Sequence, residues 1–261
     1  MFKILVIAGT SDARQIIEKL IQSGACITAT AATQLGGTFL KQYEEVDVRV
    51  GRLTLGEMMR LIDEIKAACI VDASHPFAEN VSANAIEAAK RMSVPYLRYE
   101  RPETVIDYEG IIRVRNFEEA VERLKDFSGN IFMAIGSGKL ELFTKIPDFK
   151  RRMFVRVLPE SKVLEKCEKL GFDAENILAL KGPFSESMNI EALKHFGASV
   201  MVTKDSGSAG GNEKKISAAR KLGIPVIMVE RPRMDYGFLA GDVLEVVDFI
   251  EALRKKKEMN A

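Results

Sequence analysis

Short apolar runs alternate along this chain with longer stretches in which apolar residues recur every three or four positions. The runs at 4–7, 27–31, 46–50, 70–72 and 96–98 read as buried strands, and the stretches at 12–22, 55–66 and 78–92 as helices. Gly24 and Ser93 stand where helices stop. Beyond Pro102 the rhythm resumes, with strands at 111–114, 131–135, 154–157, 177–179, 200–202 and 226–229. Helices follow at 117–126, 162–170, 185–195, 211–222 and 243–255. This alternation predicts an α/β fold of parallel sheets with crossover helices on both faces.

One stretch is written twice. Ala88-Ala89-Lys90-Arg91-Met92-Ser93-Val94-Pro95, closing on Glu100-Arg101-Pro102, answers position by position to Ala218-Ala219-Arg220-Lys221-Leu222-Gly223-Ile224-Pro225, closing on Glu230-Arg231-Pro232. Each copy reads as helix, tight turn, buried strand and charged exit. At the same spacing upstream lie two polar loops, 72–76 and 202–206. A weaker echo links the strand into Gly9-Thr10 with that into Gly136-Ser137. The repeat predicts two domains, 1–101 and 102–261, with the boundary inside 101–107 and a site built between them.

Composition narrows the class. The 261 residues are 47% hydrophobic and 29% charged, as in an ordinary globular protein. Lys and Arg number 38 against 37 Asp and Glu, a net charge of +1, so no global field favours nucleic acid or anionic lipid. No basic recognition helix is evident, and no stretch has the length of apolar sequence that spans a membrane. The opening apolar run is too short for a signal peptide and reads as a first strand. The three isolated cysteines, Cys26, Cys69 and Cys167, lack metal-ligand spacing and read as reduced core residues, so no metal site of the protein's own is expected. Lys255-Lys256-Lys257 reads as a solvated helix end.

Ligands of open α/β sheets bind beyond the carboxyl ends of the strands. Four polar loops fall there. In Gly9-Thr10-Ser11-Asp12-Ala13-Arg14, Gly9 permits close approach, Thr10 or Ser11 caps a helix, and the free N–H groups and Arg14 suit a phosphate. A simply capped helix is the other reading, because neither a Gly-x-Gly-x-x-Gly nor a Walker pattern is complete. The second loop, Asp72-Ala73-Ser74-His75-Pro76-Phe77, carries one of two histidines and leads to Asn80 and Asn84. His75 is a proton-transfer or anchoring candidate, or else a satisfied structural group. His195 only complements a helix end. The third loop, from Thr203-Lys204-Asp205-Ser206-Gly207 to Gly210-Gly211-Asn212, concentrates glycine beside charge, as a loop that lets backbone approach a ligand does. It reads otherwise as a flexible helix entry, with Lys204 and Asp205 as an internal ion pair. The fourth, 30–37, follows the second strand, where an adenosine ribose would lie; no acidic residue there selects NAD. Gly51-Arg52-Leu53 offers one more cation.

Gly9 to Arg14, Gly51-Arg52-Leu53, Asp72 to Ala78, Val94 to Pro102, Thr203 to Gly207, and Ile224-Pro225 with Glu230-Arg231-Pro232 together resemble the precorrin-6A reductase family of cobalamin biosynthesis, in family order across nearly the whole chain. The resemblance implies a reductase that delivers hydride from NADPH or NADH to a double bond of a corrin precursor, taking precorrin-6A or cobalt-precorrin-6A to the 6B form. It implies two Rossmann-like domains, cofactor and substrate in the cleft between them, and a strand exchanged between the domains. Thr33 to Gly37 and Gly51-Arg52-Leu53 look closer to the branch that uses a cobalt-containing substrate. Ser74, where the family often has Thr, and Ser208-Ala209 depart from the pattern.

On this reading Gly9, Thr10, Ser11, Arg14, Thr30 and Ser74 bind the cofactor. Arg52, Asp72, Asp205, Ser206 and Gly207 bind a flat, carboxylate-rimmed tetrapyrrole, and His75 and Lys204 carry the chemistry. The enzyme would be cytoplasmic, hand its product to other corrin-pathway enzymes, and leave any metal to its substrate. A non-catalytic NAD(P)-sensing module and a two-domain transferase using a nucleotide-linked donor are the alternatives.

Overall fold

A computed structural model describes residues 2–102, 106–207 and 210–259. Glu103 to Val105, within the expected boundary, and Ser208-Ala209 of the glycine loop lie outside the described residues. The chain divides into two compact units, Met1–Pro102 with Arg233–Ala261, and Glu103–Pro232.

Unit 1 begins with β1 (Lys3–Ala8), α1 (Ser11–Gln22), β2 (Cys26–Ala31), α2 (Gln34–Leu40), β3 (Val46–Val50), α3 (Leu55–Ile65), β4 (Cys69–Ala73), α4 (Glu79–Met92) and β5 (Tyr96–Tyr99). β1 beyond Lys3 and β4 are buried throughout because helices cover both faces of the sheet, and every buried position but Asp72 is apolar. α1 turns Ala13, Ile16, Ile17 and Leu20 inward, the spacing of one helix face. Ser93 closes α4 in the left-handed region at φ 52°.

Unit 2 repeats the plan with β6 (Ile111–Val114), α5 (Phe117–Leu124), β7 (Asn130–Met133), α6 (Leu140–Phe143), α7 (Phe149–Arg152), β8 (Met153–Val157), α8 (Ser161–Lys169), β9 (Ile177–Ala179), α9 (Glu186–His195), β10 (Ala198–Lys204), α10 (Asn212–Lys221) and β11 (Val226–Val229). The chain then adds β12 (Phe238–Ala240) and α11 (Val243–Met259).

Both six-stranded sheets are parallel, in the orders β12-β5-β4-β1-β2-β3 and β6-β11-β10-β7-β8-β9. The strand that follows β5 in the chain pairs with β11, and the strand that follows β11 pairs with β5. Each sheet is thus completed by the strand a simple tandem repeat would give to the other, which is the exchange the resemblance implies. The joins are equivalent: Glu100 N donates to Ala240 O and Glu230 N to Val114 O, at 2.9 and 2.8 Å.

Two expectations need correction. The second domain does not run from 102 to 261. After Pro232 the chain returns to unit 1, where β12 extends the first sheet and α11 buries Val246 and Ile250 in the same core as Ile16, Ile17 and Leu20. The segment 30–37 is not a loop throughout. Thr30 and Ala31 finish β2, and Thr33 caps α2 by accepting from Gly36 N at 3.1 Å.

Ile250→Ala removes apolar contact from the core of unit 1. It is expected to cost about 2–5 kcal/mol and to speed hydrogen exchange in β1 and β5 while β7 and β10 stay protected. Lost protection in β7 and β10 instead would put α11 with the other unit.

Candidate functional site

In each sheet the strand order reverses at one place, between β1 and β4 in unit 1 and between β7 and β10 in unit 2. Such switch points open a crevice at the carboxyl ends of the strands. The first holds the Gly9–Arg14 and Asp72–His75 loops, the second the Ala134–Gly138 and Lys204–Gly207 loops.

In unit 1 the two loops touch. Thr10 Oγ1 accepts from Ala13 N at 3.2 Å as the cap of α1 and donates to Ala73 O at 3.1 Å. A Cβ added at Gly9 would stand 3.3 Å from His75 N and 3.4 Å from Ser74 Cα, so glycine permits the close approach. Gly9 and Ser11 are exposed. The cap satisfies one first-turn N–H group, and the others have no partner within the helix. Asp12 would repel an anion there, but Arg101 from the charged exit pairs with it. The donors and local charge therefore fit a pyrophosphate. Arg14 lies over the Phe39 ring at 5.4 Å, beside the end of β2. Thr30 is buried in β2, which corrects its expected contact with cofactor; the exposed Ala32 and Thr33 form that edge instead.

Asp72 also has a different role from the one expected. Its side chain is fully buried and accepts from Ser74 N at 3.0 Å, Ser82 Oγ at 2.6 Å, Tyr96 OH at 2.8 Å and Arg98 Nη1 at 3.0 Å. A carboxylate with four donors has no capacity left for substrate. Ser74 Oγ likewise accepts from Arg98 Nη1 at 3.0 Å and lies 3.4 Å from Ser82 Oγ. Both residues hold the loop rather than reach a ligand. Burial and the Asp72 charge push the Tyr96 phenol far above its usual range, so it stays a hydrogen-bond donor.

His75 is half-buried, and its Nδ1 accepts from Phe77 N at 3.1 Å. The neutral ring therefore carries its proton on Nε2. Arg52 is exposed, next to Leu53, whose carbonyl accepts from Asn84 Nδ2 at 3.1 Å; the segment after β3 thus runs to the helix that follows the His75 loop.

In unit 2, Asp205 is buried and faces Arg231 Nε at 3.9 Å and Arg113 Nη1 at 3.8 Å, while Asn212 Nδ2 donates to it at 3.4 Å. Arg231 Nε also donates to Asp205 O at 3.1 Å. Asp205 is therefore a fastening of its loop, not a free substrate ligand. Gly207 has φ 66°, a conformation that favours glycine, and a Cβ there would stand 2.9 Å from Arg231 Nη2, so the arginine end would have to shift. Ser206 Oγ donates to Asn212 Oδ1 at 3.3 Å. Lys204 is half-buried at the strand end, and burial lowers its ammonium from the usual lysine range.

The sequence reading missed two buried cations of this edge, Arg156 and Lys215. Lys215 follows Lys214 in a basic helix, and only the inward face of α10 separates them. It also passed over Ala134–Gly138 as chemistry, although the Gly136-Ser137 echo marked it. Among the described residues no cluster of three or more His, Cys, Asp or Glu is placed to hold a metal ion, and no helix is long and apolar enough to cross a membrane.

A family model described as "Precorrin-6x reductase CbiJ/CobK" matches residues 3–251. The chain belongs to the precorrin-6x reductase family. A cobalt-precorrin-6A reductase of Priestia megaterium is 42% identical over 94% of this chain and 96% of its own length. A cobalt-precorrin-6A reductase of Methanothermobacter thermautotrophicus is 36% identical over 95% of this chain and 83% of its own length. The solved structure of a CobK precorrin-6A reductase superposes with TM-score 0.78 at 25% identity, covering 97% of each chain. The chain is thus a reductase of cobalamin biosynthesis, which sets aside the sensing-module and transferase readings. A nicotinamide cofactor accords with the reductase family and its fold.

Asp72→Ala leaves Arg98 buried without its main counter-charge. It should destabilise the reductase by about 3–5 kcal/mol in denaturant melts, against about 1 kcal/mol for Ser82→Ala. Equal effects of the two would remove Asp72 as the hub of the loop.

Proposed function

We propose that this reductase converts cobalt-precorrin-6A, in preference to its metal-free counterpart, to the 6B form with hydride from NADH or NADPH. The observation that carries this reading is the whole-length similarity to relatives named for that reaction. The switch-point loops of unit 1 support it with a donor set suited to a dinucleotide.

Bound nicotinamide supplies the hydride. The N–H groups at the start of α1, with Gly9, Thr10 and Ser11, bind the cofactor phosphates, and Arg101 keeps Asp12 from opposing them. Arg14 and Thr33 face the adenosine end. His75 holds a proton on Nε2 and donates it in a hydrogen bond to an acceptor oxygen, because Phe77 N occupies Nδ1. Water is then the simplest source of the proton that completes the reduction. Lys204, Ser206 and Gly207 of unit 2 take the macrocycle, whose acid side chains call for cations and backbone donors. The reaction is cytoplasmic on this reading, and the product passes to later enzymes of the corrin pathway.

Anaerobic mixing with NADH or NADPH and either substrate form, followed by nicotinamide absorbance, tests the whole scheme. Oxidation with the cobalt form is expected; none with any of the four combinations sinks it. His75→Ala should lower kcat/KM about 10- to 100-fold, the worth of one hydrogen bond in a protected site. An unchanged value takes His75 out of the mechanism.

A further inference from the structure

Unit 2 carries two buried cations that, among the described residues, have no carboxylate in ion-pair contact. Arg156 is 6% exposed and Lys215 is 7% exposed. Phe132 pairs in register with Phe154 and with Met201. Alternation along the strands then puts Arg156, two residues beyond Phe154, and Thr203, two beyond Met201, on the same face of the sheet. That face is covered by α9 and α10, since Leu193, Ala218 and Ala219 share its core with Phe132 and Met201. Lys215 enters from α10, and its Nζ donates to Thr203 Oγ1 at 3.4 Å and Asn212 Oδ1 at 3.3 Å. Arg156 Nη1 donates to Asn189 Oδ1 at 2.8 Å. Its guanidinium lies over the Phe184 ring at 4.1 Å and the Phe132 ring at 5.4 Å.

Among the described residues, neither cation has a carboxylate within ion-pair distance. Asp205 is taken by Arg231 and Arg113, Glu186 of α9 by Lys221 and Ser217, and Glu191 of α9 by Lys194. Burying an uncompensated charge is costly. The repeat supplies an internal control. Ala88 and Ala89 answer to Ala218 and Ala219, and by the same spacing Ala85, fully buried on α4, answers to Lys215 on α10. One copy of the fold fills the position with a methyl group, the other with an ammonium. Packing does not require the lysine.

Resting on the reductase reading above, we infer that Arg156 and Lys215 bind a carboxylate of the macrocycle rim. Lys215 has one N–H beyond the two in use, and Arg156 retains Nε and Nη2 as donors. Aromatic rings over the guanidinium leave its edge for an in-plane, two-point contact with a carboxylate. A cofactor phosphate shares this chemistry, but the phosphate donors of unit 1 already account for it. Burial, Arg156 and Lys204 push Lys215 down to about 7. Burial also pushes Arg156 down to about 10. An arriving anion offsets these causes, so above pH 7 its binding draws a proton onto Lys215.

Lys215→Ala, copying the other unit, and Arg156→Gln provide the test in the full chain. Each should raise the macrocycle KM about 10- to 100-fold and leave the KM for NADH and NADPH unchanged. Uroporphyrin, an octacarboxylate, should bind the wild type with proton uptake at pH 8, seen by calorimetry in buffers of different ionisation enthalpy. Lys215→Ala should abolish the uptake, and the octamethyl ester should bind all forms alike. Below pH 7 ligand-free Lys215→Ala should melt higher than the wild type, because it sheds a buried charge; a purely structural lysine would give the opposite sign. Unchanged macrocycle KM and unchanged proton uptake in an otherwise active enzyme overturn the inference. A selective loss of NADPH affinity overturns it in favour of a phosphate site. A wild type inactive with both cofactors and both substrate forms defeats the reductase reading instead, and the uroporphyrin arm still decides the site.

Discussion

One buried carboxylate organises the first switch point. Asp72, at the end of β4, gathers a donor from its own loop, one from α4 and two from β5. Arg98 carries the network outward to Glu100 and to the Tyr236 ring in the returning C-terminal segment. In a medium of low dielectric such bonds are strong, and any rearrangement strands a charge or a hydroxyl. The position of His75 follows, because the backbone between Asp72 and His75 has little freedom left. The exchanged strand β12 belongs to the same construction: it lies against β5, and its Ala240 carbonyl receives Glu100 N just beyond the arginine that faces Asp72.

The charged exits of the repeat gain a purpose from this arrangement. Glu100-Arg101-Pro102 and Glu230-Arg231-Pro232 look like punctuation after a strand, yet each arginine reaches a loop of its own switch point. Arg101 meets Asp12 at the start of α1, and Arg231 clasps Asp205 at the end of β10. The helix that follows contributes at matching positions too: Ser82 donates to Asp72, and Asn212 donates to Asp205. Two copies of one frame thus tie down two different loops.

Much of this was legible because it is written in local pattern. Apolar runs gave the central strands, periodic faces gave the long helices, and constant spacing gave the two units. What was not legible depends on partners far along the chain. β12 is three residues long, with Phe238 and Leu239 exposed, so nothing in its sequence tells which sheet it joins. Gly36-Gly37 disguised α2, whose real signal was the threonine cap before them. Polar residues at strand ends, Thr30, Asp72, Ser74 and Asp205, look alike in sequence whether they face a ligand or one another. Only the count of their hydrogen-bond partners separates the two cases.

That count also separates the units. Around Asp72 every charge has its complement inside the protein. At the equivalent edge of unit 2, Asp205 faces Arg113 and Arg231, while among the described residues Arg156 and Lys215 add positive charge received by neutral groups. The duplicate frame closes the Lys215 position with Ala85, so packing there does not call for an ammonium. It works against the stability of the ligand-free unit, and an anion is what would reverse the sign. The first unit offers neutral N–H groups at a helix start, and the second offers buried cations. On the proposed function those two donor types suit two different anions, a dinucleotide phosphate and a carboxylate of the macrocycle rim.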